Sequence, residues 1–184
     1  AYEASPREDS ETHKMLSKTY PYTILITEDD DEVRCFLERE LSPHFKTRTA
    51  ANGKDALRVL EEEEISLVVS DVMMPEMNGF ELCRRVKSDM ALSHIPVILL
   101  TALSDDNQRI YGIAEGADEY IHKPFNMQYV RLKIIRIIEE RRRLADTFAQ
   151  KFGRLTRHEA ANLPCVDDVF RDKLFNLIEA QHRD

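Results

Sequence analysis

Asp71 closes the apolar run Leu67-Val68-Val69-Ser70 and is followed by Val72-Met73-Met74-Pro75. Upstream, a second apolar run, Ile24-Leu25-Ile26-Thr27, ends in Glu28-Asp29-Asp30. Two strand ends that each deliver carboxylates make a site for a hard cation beside a carboxylate. Carboxylates gathered at one sheet edge repel each other unless a metal or a fixed cation neutralises them. A neutralised carboxylate is in turn placed to attack a phosphoryl group. Mg2+ suits such a site, since it binds through one or two carboxylates while keeping waters; Mn2+ accepts similar oxygen ligands. Asp29 and Asp71 can ligate the ion, with Glu28 reaching through water. Lys123 can supply a point charge and Thr101 a hydroxyl for the transferred oxygens.

The elements that must position these residues are legible from periodicity. Short apolar runs fall at 22–27, 45–50, 66–71, 96–101 and 118–121, with helical stretches between them. Val33, Phe36, Leu37 and Leu41 share one helix face. Ala56 and Leu60 share a second; Gly79, Leu82, Cys83 and Val86 a third; Ile110, Ile113, Ala114 and Ala117 a fourth. Ser104, Asp105 and Asp106 suit the start of that fourth helix, and Asn52-Gly53 and Asn78-Gly79 mark turns. Five strands alternating with helices predict an α/β fold: a parallel sheet with helices on both faces and right-handed crossovers. Such sheets bind ligands outside the carboxyl ends of their strands. Glu28, Asp29, Asp71, Thr101 and Lys123 all fall on that rim. Singly, each has a bland reading as a cap, a strand end or a solvated lysine; together on one rim they read as a site.

The fifth helix is expected to run from about Asn126 to about Phe152. Val130, Ile134, Ile137 and Ile138 form one apolar stripe; Leu132 and Ile135 form another, displaced around the helix. One stripe can cover the sheet, and the second calls for a partner. Leu144, Phe148 and Phe152 continue beyond the domain edge, which favours a dimerising or signalling helix over one folded back. Arg141-Arg142-Arg143 reads as a solvated face pairing with Glu139 and Glu140.

Composition narrows the class. The 184 residues carry a formal net charge of −8, which argues against unaided nucleic-acid binding. No apolar run approaches the ~20 residues of a membrane span, so no direct membrane contact is expected. Cys35, Cys83 and Cys165 are odd in number and far apart. They read as reduced, mostly core-facing thiols of a cytoplasmic chain. Residues 1–20 read as a polar linker with a short helical piece near Met15-Leu16, and 141–165 as a helical extension and linker. Val169, Phe170, Lys173, Leu174, Leu177 and Ile178 form one amphipathic helix, so 166–184 reads as the start of a following domain. An opening Ala1 in place of Met reads as a piece of a longer protein.

Residues 21–140 resemble the receiver domain of two-component response regulators. The matching pieces are Ile24-Leu25-Ile26-Thr27-Glu28-Asp29-Asp30, Ser70-Asp71-Val72-Met73-Met74-Pro75, Val97-Ile98-Leu99-Leu100-Thr101-Ala102 and Gly116-Ala117-Asp118-Glu119-Tyr120-Ile121-His122-Lys123-Pro124-Phe125. The resemblance implies a flavodoxin-like sheet of order 2-1-3-4-5. It implies that Asp71 accepts a phosphoryl group from the phosphohistidine of a sensor kinase. Mg2+ would be held by Asp29, Asp71 and the backbone carbonyl of Met73, with Glu28 through water. Thr101 and Lys123 would contact the phosphoryl group, and Tyr120 would follow Thr101 inward. That switch would rearrange the face of the fourth helix, fifth strand and fifth helix, a surface for homodimerisation together with the extension. The Lys123–Pro124 bond is expected to be cis. Thr27 is more polar than the aliphatic residue usual at its position.

The flanks resemble hybrid sensor-regulators, with a histidine kinase before the receiver and an AraC-type helix-turn-helix domain after it. In that setting DNA is reached only through the following domain, and any membrane anchor lies in a separate sensor region. Two alternatives stand beside the phosphoacceptor reading. Asp29-Asp30-Asp31-Glu32-Val33 formally fits the nucleophile loop of haloacid-dehalogenase-type phosphatases, but Asp71 would then have no role. A constitutive, unphosphorylated interaction module would use the same fold.

Overall fold

The computed structural model describes residues 14–102 and 116–159, the last ten of these by backbone alone. Five strands form one sheet: β1 (Thr23–Thr27), β2 (Lys46–Ala50), β3 (Leu67–Asp71), β4 (Val97–Thr101) and β5 (Glu119–His122). Every pairing is parallel and the order is β2-β1-β3-β4-β5. The described helices are α1 (Asp31–Leu41), α2 (Gly53–Glu62), α3 (Gly79–Ser88) and α4 (Met127–Glu159). The expected fourth helix lies mostly in residues 103–115, outside the described residues, so α4 is the fifth helix of the sequence reading.

Side chains alternate across a strand, so each strand feeds two cores. Ile24, Ile26, Leu67, Val69, Ile98, Leu100 and Ile121 pack with Leu37 and Leu41 of α1 and with α4. Leu25, Val68, Val97 and Leu99 pack on the other face with Ala56 and Leu60 of α2 and with Leu82, Cys83 and Val86 of α3. Burial on both faces is why these strands read as near-continuous apolar runs. The helix starts are set by side-chain caps. Asp30 accepts from the amides of Glu32 and Val33, Asn52 from Lys54 and Asp55, and Asn78 from Glu81. Each cap satisfies amides that the first helical turn leaves without partners.

Three side chains depart from the expected pattern. Phe36 lies at the edge of its helix face, 39% exposed, with the Arg39 guanidinium over its ring. Ile135 needs no outside partner. It is 1% exposed and joins Val130, Ile134 and Ile138 in the core, because α4 beds deeply enough for a wide arc to reach the sheet. Cys35 is exposed on α1, while Cys83 is buried as expected.

The described end of the N-terminal segment carries a helical turn at 14–16. Met15 and Tyr20 pack against the first core, and Tyr20 stacks on Tyr22 and Phe45. Chain contacts place Ala1–Glu140 in one compact unit and Arg141–Asp184 in another. Within the second unit, Leu144 and Phe148 of α4 are exposed. No helix among the described residues is long and apolar enough to cross a membrane.

Candidate functional site at the carboxyl edge of the sheet

The parallel registers bring three strand ends to one level. Thr27 pairs with Ser70 and Asp71 with Leu100, so Glu28 and Asp71 follow side by side on the rim. Beyond them, the amide of Val72 donates to Leu100 O (3.0 Å) and that of Lys123 to Thr101 O (2.7 Å). The order places β1 beside β3, with β2 on the other side of β1. The order in which successive strands are added reverses there, which opens the crevice in which doubly wound sheets bind ligands.

Glu28, Asp29 and Asp71 each place a carboxylate oxygen within 4.8 Å of the others. Glu28 is 3% exposed and Asp71 6%, whereas Asp29 faces solvent. Lys123 Nζ bridges the two buried acids, 2.6 Å from Asp71 Oδ1 and 2.9 Å from Glu28 Oε2. The other Asp71 oxygen, Oδ2, accepts from the amide of Met73 at 2.9 Å. Burial pushes the Glu28 carboxyl above its ordinary range; the Lys123 bond opposes this and the Asp71 charge adds to it. Burial alone would lower Lys123, but its bonds to Asp71 and Glu28 outweigh that and hold the ammonium above its ordinary value.

The donor set fits a divalent ion. Three carboxylates against one ammonium leave two negative charges, which one divalent cation would offset. All three donors are oxygens, the preference of Mg2+ and Mn2+.

Thr101 is 5% exposed at the end of β4 and is tied to Lys123 through the backbone. Tyr120 lies one level below the rim, opposite Leu99, and packs against the second core. The Lys123–Pro124 peptide is cis. Met73 leaves its side chain 63% exposed, so backbone and not side chain is its contribution at the site.

Sequence reasoning missed two supports. Gly79 lets α3 start directly against β3: a Cβ there would stand 2.2 Å from Asp71 O. Its amide donates to Val72 O at 3.0 Å. The signal was present in Asn78-Gly79, which reads as a turn and as the start of a helix face. Arg34 is the second. Its guanidinium donates to the carbonyl of Glu28 at 2.7 Å, and only its place one turn into α1 hinted at this.

The phosphatase alternative fails on this geometry. Asp31, the second acid of its loop, opens α1 with its side chain 83% exposed and paired with Arg34, outside the cluster, while Asp71 is one of the three clustered acids.

A doubly wound parallel sheet with buried acids and a lysine at its switch point defines a class of phosphoryl-accepting signalling domains. Residues 24–135 match the response regulator receiver domain family, and the chain belongs to it. It is similar to Histidine kinase P4 of Formosa agariphila, 39% identical over 165 residues, covering 90% of this chain and 12% of that protein. It is also similar to the transcriptional regulatory protein GltR of Pseudomonas aeruginosa, 42% identical over 113 residues, covering 61% and 47% of the two chains. Among solved structures, the receiver domain of a signal transduction histidine kinase from Syntrophus aciditrophicus superposes with a TM-score of 0.62 at 37% identity. That match covers 65% of this chain and 91% of the other. A CheY-like receiver domain protein from Methanospirillum hungatei gives 0.63 at 25% identity, covering 67% and 98%. The chain thus spans half or less of these two curated relatives. Receiver domains of this family are phosphoacceptors and generally not turnover enzymes. Domains of this family bind Mg2+ at their acidic pocket and interact with histidine kinases and output domains.

Proposed function

We propose that Asp71 is the residue that takes the phosphoryl group, from the phosphohistidine of a sensor kinase. The observation that carries this is the placement of Asp71: buried, salt-bridged to Lys123 and grouped with Glu28 and Asp29. An Asp71 oxygen attacks phosphorus, the P–N bond to imidazole breaks, and the imidazole nitrogen keeps the electron pair. Glu28, Asp29, Asp71 and the Met73 carbonyl are the groups that would hold Mg2+ or Mn2+. When bound, the ion neutralises charge between the carboxylates and the phosphoryl oxygens. Lys123 exchanges part of its salt bridge for a phosphoryl oxygen. Thr101 donates its hydroxyl to another, and its inward movement draws Tyr120 after it. The face around β5 and α4 then changes, which passes the signal to an attached output.

The wider setting follows the same reading. Residues 1–20 serve as linker, 21–140 as receiver, 141–165 as extension and 166–184 as the start of a following domain of helix-turn-helix type. Alignment with a histidine kinase over most of the chain supports a cytoplasmic hybrid in which kinase and receiver share one polypeptide. Similarity to GltR supports a transcriptional output, with DNA reached through the following domain. The exposed Leu144 and Phe148 support a homodimer through α4.

Intact-mass analysis after incubation with acetyl phosphate and Mg2+ tests the core of the proposal. One added phosphoryl group is expected, absent in Asp71→Asn and absent without Mg2+. No adduct in a chain that binds Mg2+ would instead favour a constitutive interaction module.

A further inference from the structure

The acidic loop between β1 and α1 is three residues long, Glu28, Asp29 and Asp30, and its two ends are held independently. The amide of Glu28 donates to Ala50 O of β2 at 3.1 Å. Asp30 is fixed as the cap of α1. Between them lies the peptide that joins Glu28 to Asp29, and its plane constrains the backbone from which both carboxylate side chains project. Arg34 holds that peptide. Its Nη1 donates to Glu28 O at 2.7 Å and makes a longer contact with Asp29 O at 3.4 Å. Its Nη2 pairs with the Asp31 carboxylate, which steers the guanidinium across the first turn of α1. The Arg34 side chain is only 18% exposed, against 83% for Asp31. A guanidinium is a planar fork that serves carbonyl and carboxylate together; an ammonium is a point charge on a flexible stem.

We infer that Arg34 is a positioning residue for divalent-ion binding, orienting Glu28 and Asp29 through the carbonyl between them. The inference rests on the reading of Glu28, Asp29 and Asp71 as the ion's ligands. Arg34 itself offers no atom to a cation.

The sign of one measurement decides the matter. Removing a positive charge beside a cation site should tighten ion binding a few-fold on Coulombic grounds. Loss of a group that orients ligands should weaken it, by about 10-fold to 100-fold where such supports have been removed from metal sites. Isothermal titration calorimetry with Mg2+ on the whole chain, wild type beside Arg34→Ala, is therefore expected to show at least about 10-fold weaker binding in the variant. Equal or tighter binding would overturn the inference. Arg34→Lys keeps the charge and the stem, and serves if Arg34→Ala does not fold. Weakened binding is expected there too, with charge unchanged, and wild-type affinity in Arg34→Lys would overturn the positioning role. Melting of each chain without metal separates this from general destabilisation, since a merely structural role would lower the melting point and leave the affinity of the folded chain unmoved. Wild-type chain that binds no Mg2+ would overturn the underlying ligand assignment as well. Wild-type binding with an unaltered Arg34→Ala would overturn the role of Arg34 alone.

Discussion

Lys123 Nζ stands 2.6 Å from Asp71 Oδ1 and reaches it from β5 across the whole width of β4. The same nitrogen bonds Glu28 Oε2, so one ammonium bridges two buried carboxylates at the ends of β1 and β3. Replacing Lys123 by Met leaves both acids buried without their partner. Breaking such a pair should cost about 3 kcal/mol in metal-free chain. Saturating Mg2+ should recover much of that loss by mass action, because it binds only the folded state. Urea unfolding of wild type and Lys123→Met, with and without Mg2+, reads both effects. Equal losses in the two conditions would show that the ion does not share this charge.

Gly79 and Asp71 meet backbone to backbone. A Cβ at Gly79 would lie 2.2 Å from Asp71 O and 3.0 Å from Val72 Cα, and neither is the end of a flexible side chain. Gly79→Ala must push α3 away from β3, at a cost of about 1–3 kcal/mol. Since the displaced atom belongs to Asp71, phosphorylation by acetyl phosphate should slow as well. Denaturant midpoints and intact-mass time courses check the two consequences separately.

Thr27 is fully buried at the end of β1, and its hydroxyl has no hydrogen-bond partner among the described residues. Valine has the same shape without the polar atom. Thr27→Val should stabilise the chain by about 1 kcal/mol, the order of the desolvation penalty of an unpaired hydroxyl. A fall in the urea midpoint would mean that the hydroxyl is satisfied in solution.

Lys133 of α4 bonds Glu119 of β5 at 2.5 Å, and that bond chiefly holds its ammonium above the ordinary value of 10.5. A raised folded value means that the folded chain keeps this proton longer than the unfolded chain. Its contribution is complete below pH 10.5 and is lost as pH rises through the folded value. Both side chains are partly exposed, so the bridge is worth about 0.5–1 kcal/mol. Unfolding of wild type and Lys133→Met should differ by that amount near neutral pH, and above neutral pH the difference should persist until strongly alkaline conditions.

The sequence by itself determined the elements and the rim. Apolar runs ending in Glu28-Asp29, Asp71, Thr101 and Lys123 could be placed on four strand ends, because two-sided burial writes near-continuous apolar stretches and parallel strands all end on one edge. The residue types then named the chemistry. Tertiary structure decided what period and composition cannot carry. Ile135 looked like a spare apolar face until the depth of α4 on the sheet was known, and Phe36 looked like core until its helix edge proved to face solvent. Arg34 has no local signature of function and Gly79 only that of a turn before a helix, since each acts through a backbone atom of a residue outside its own helix. The bridge from Lys123 to Glu28 joins residues 95 positions apart. Only packing brings such groups within reach, so their pairing appears in the folded chain and not along it.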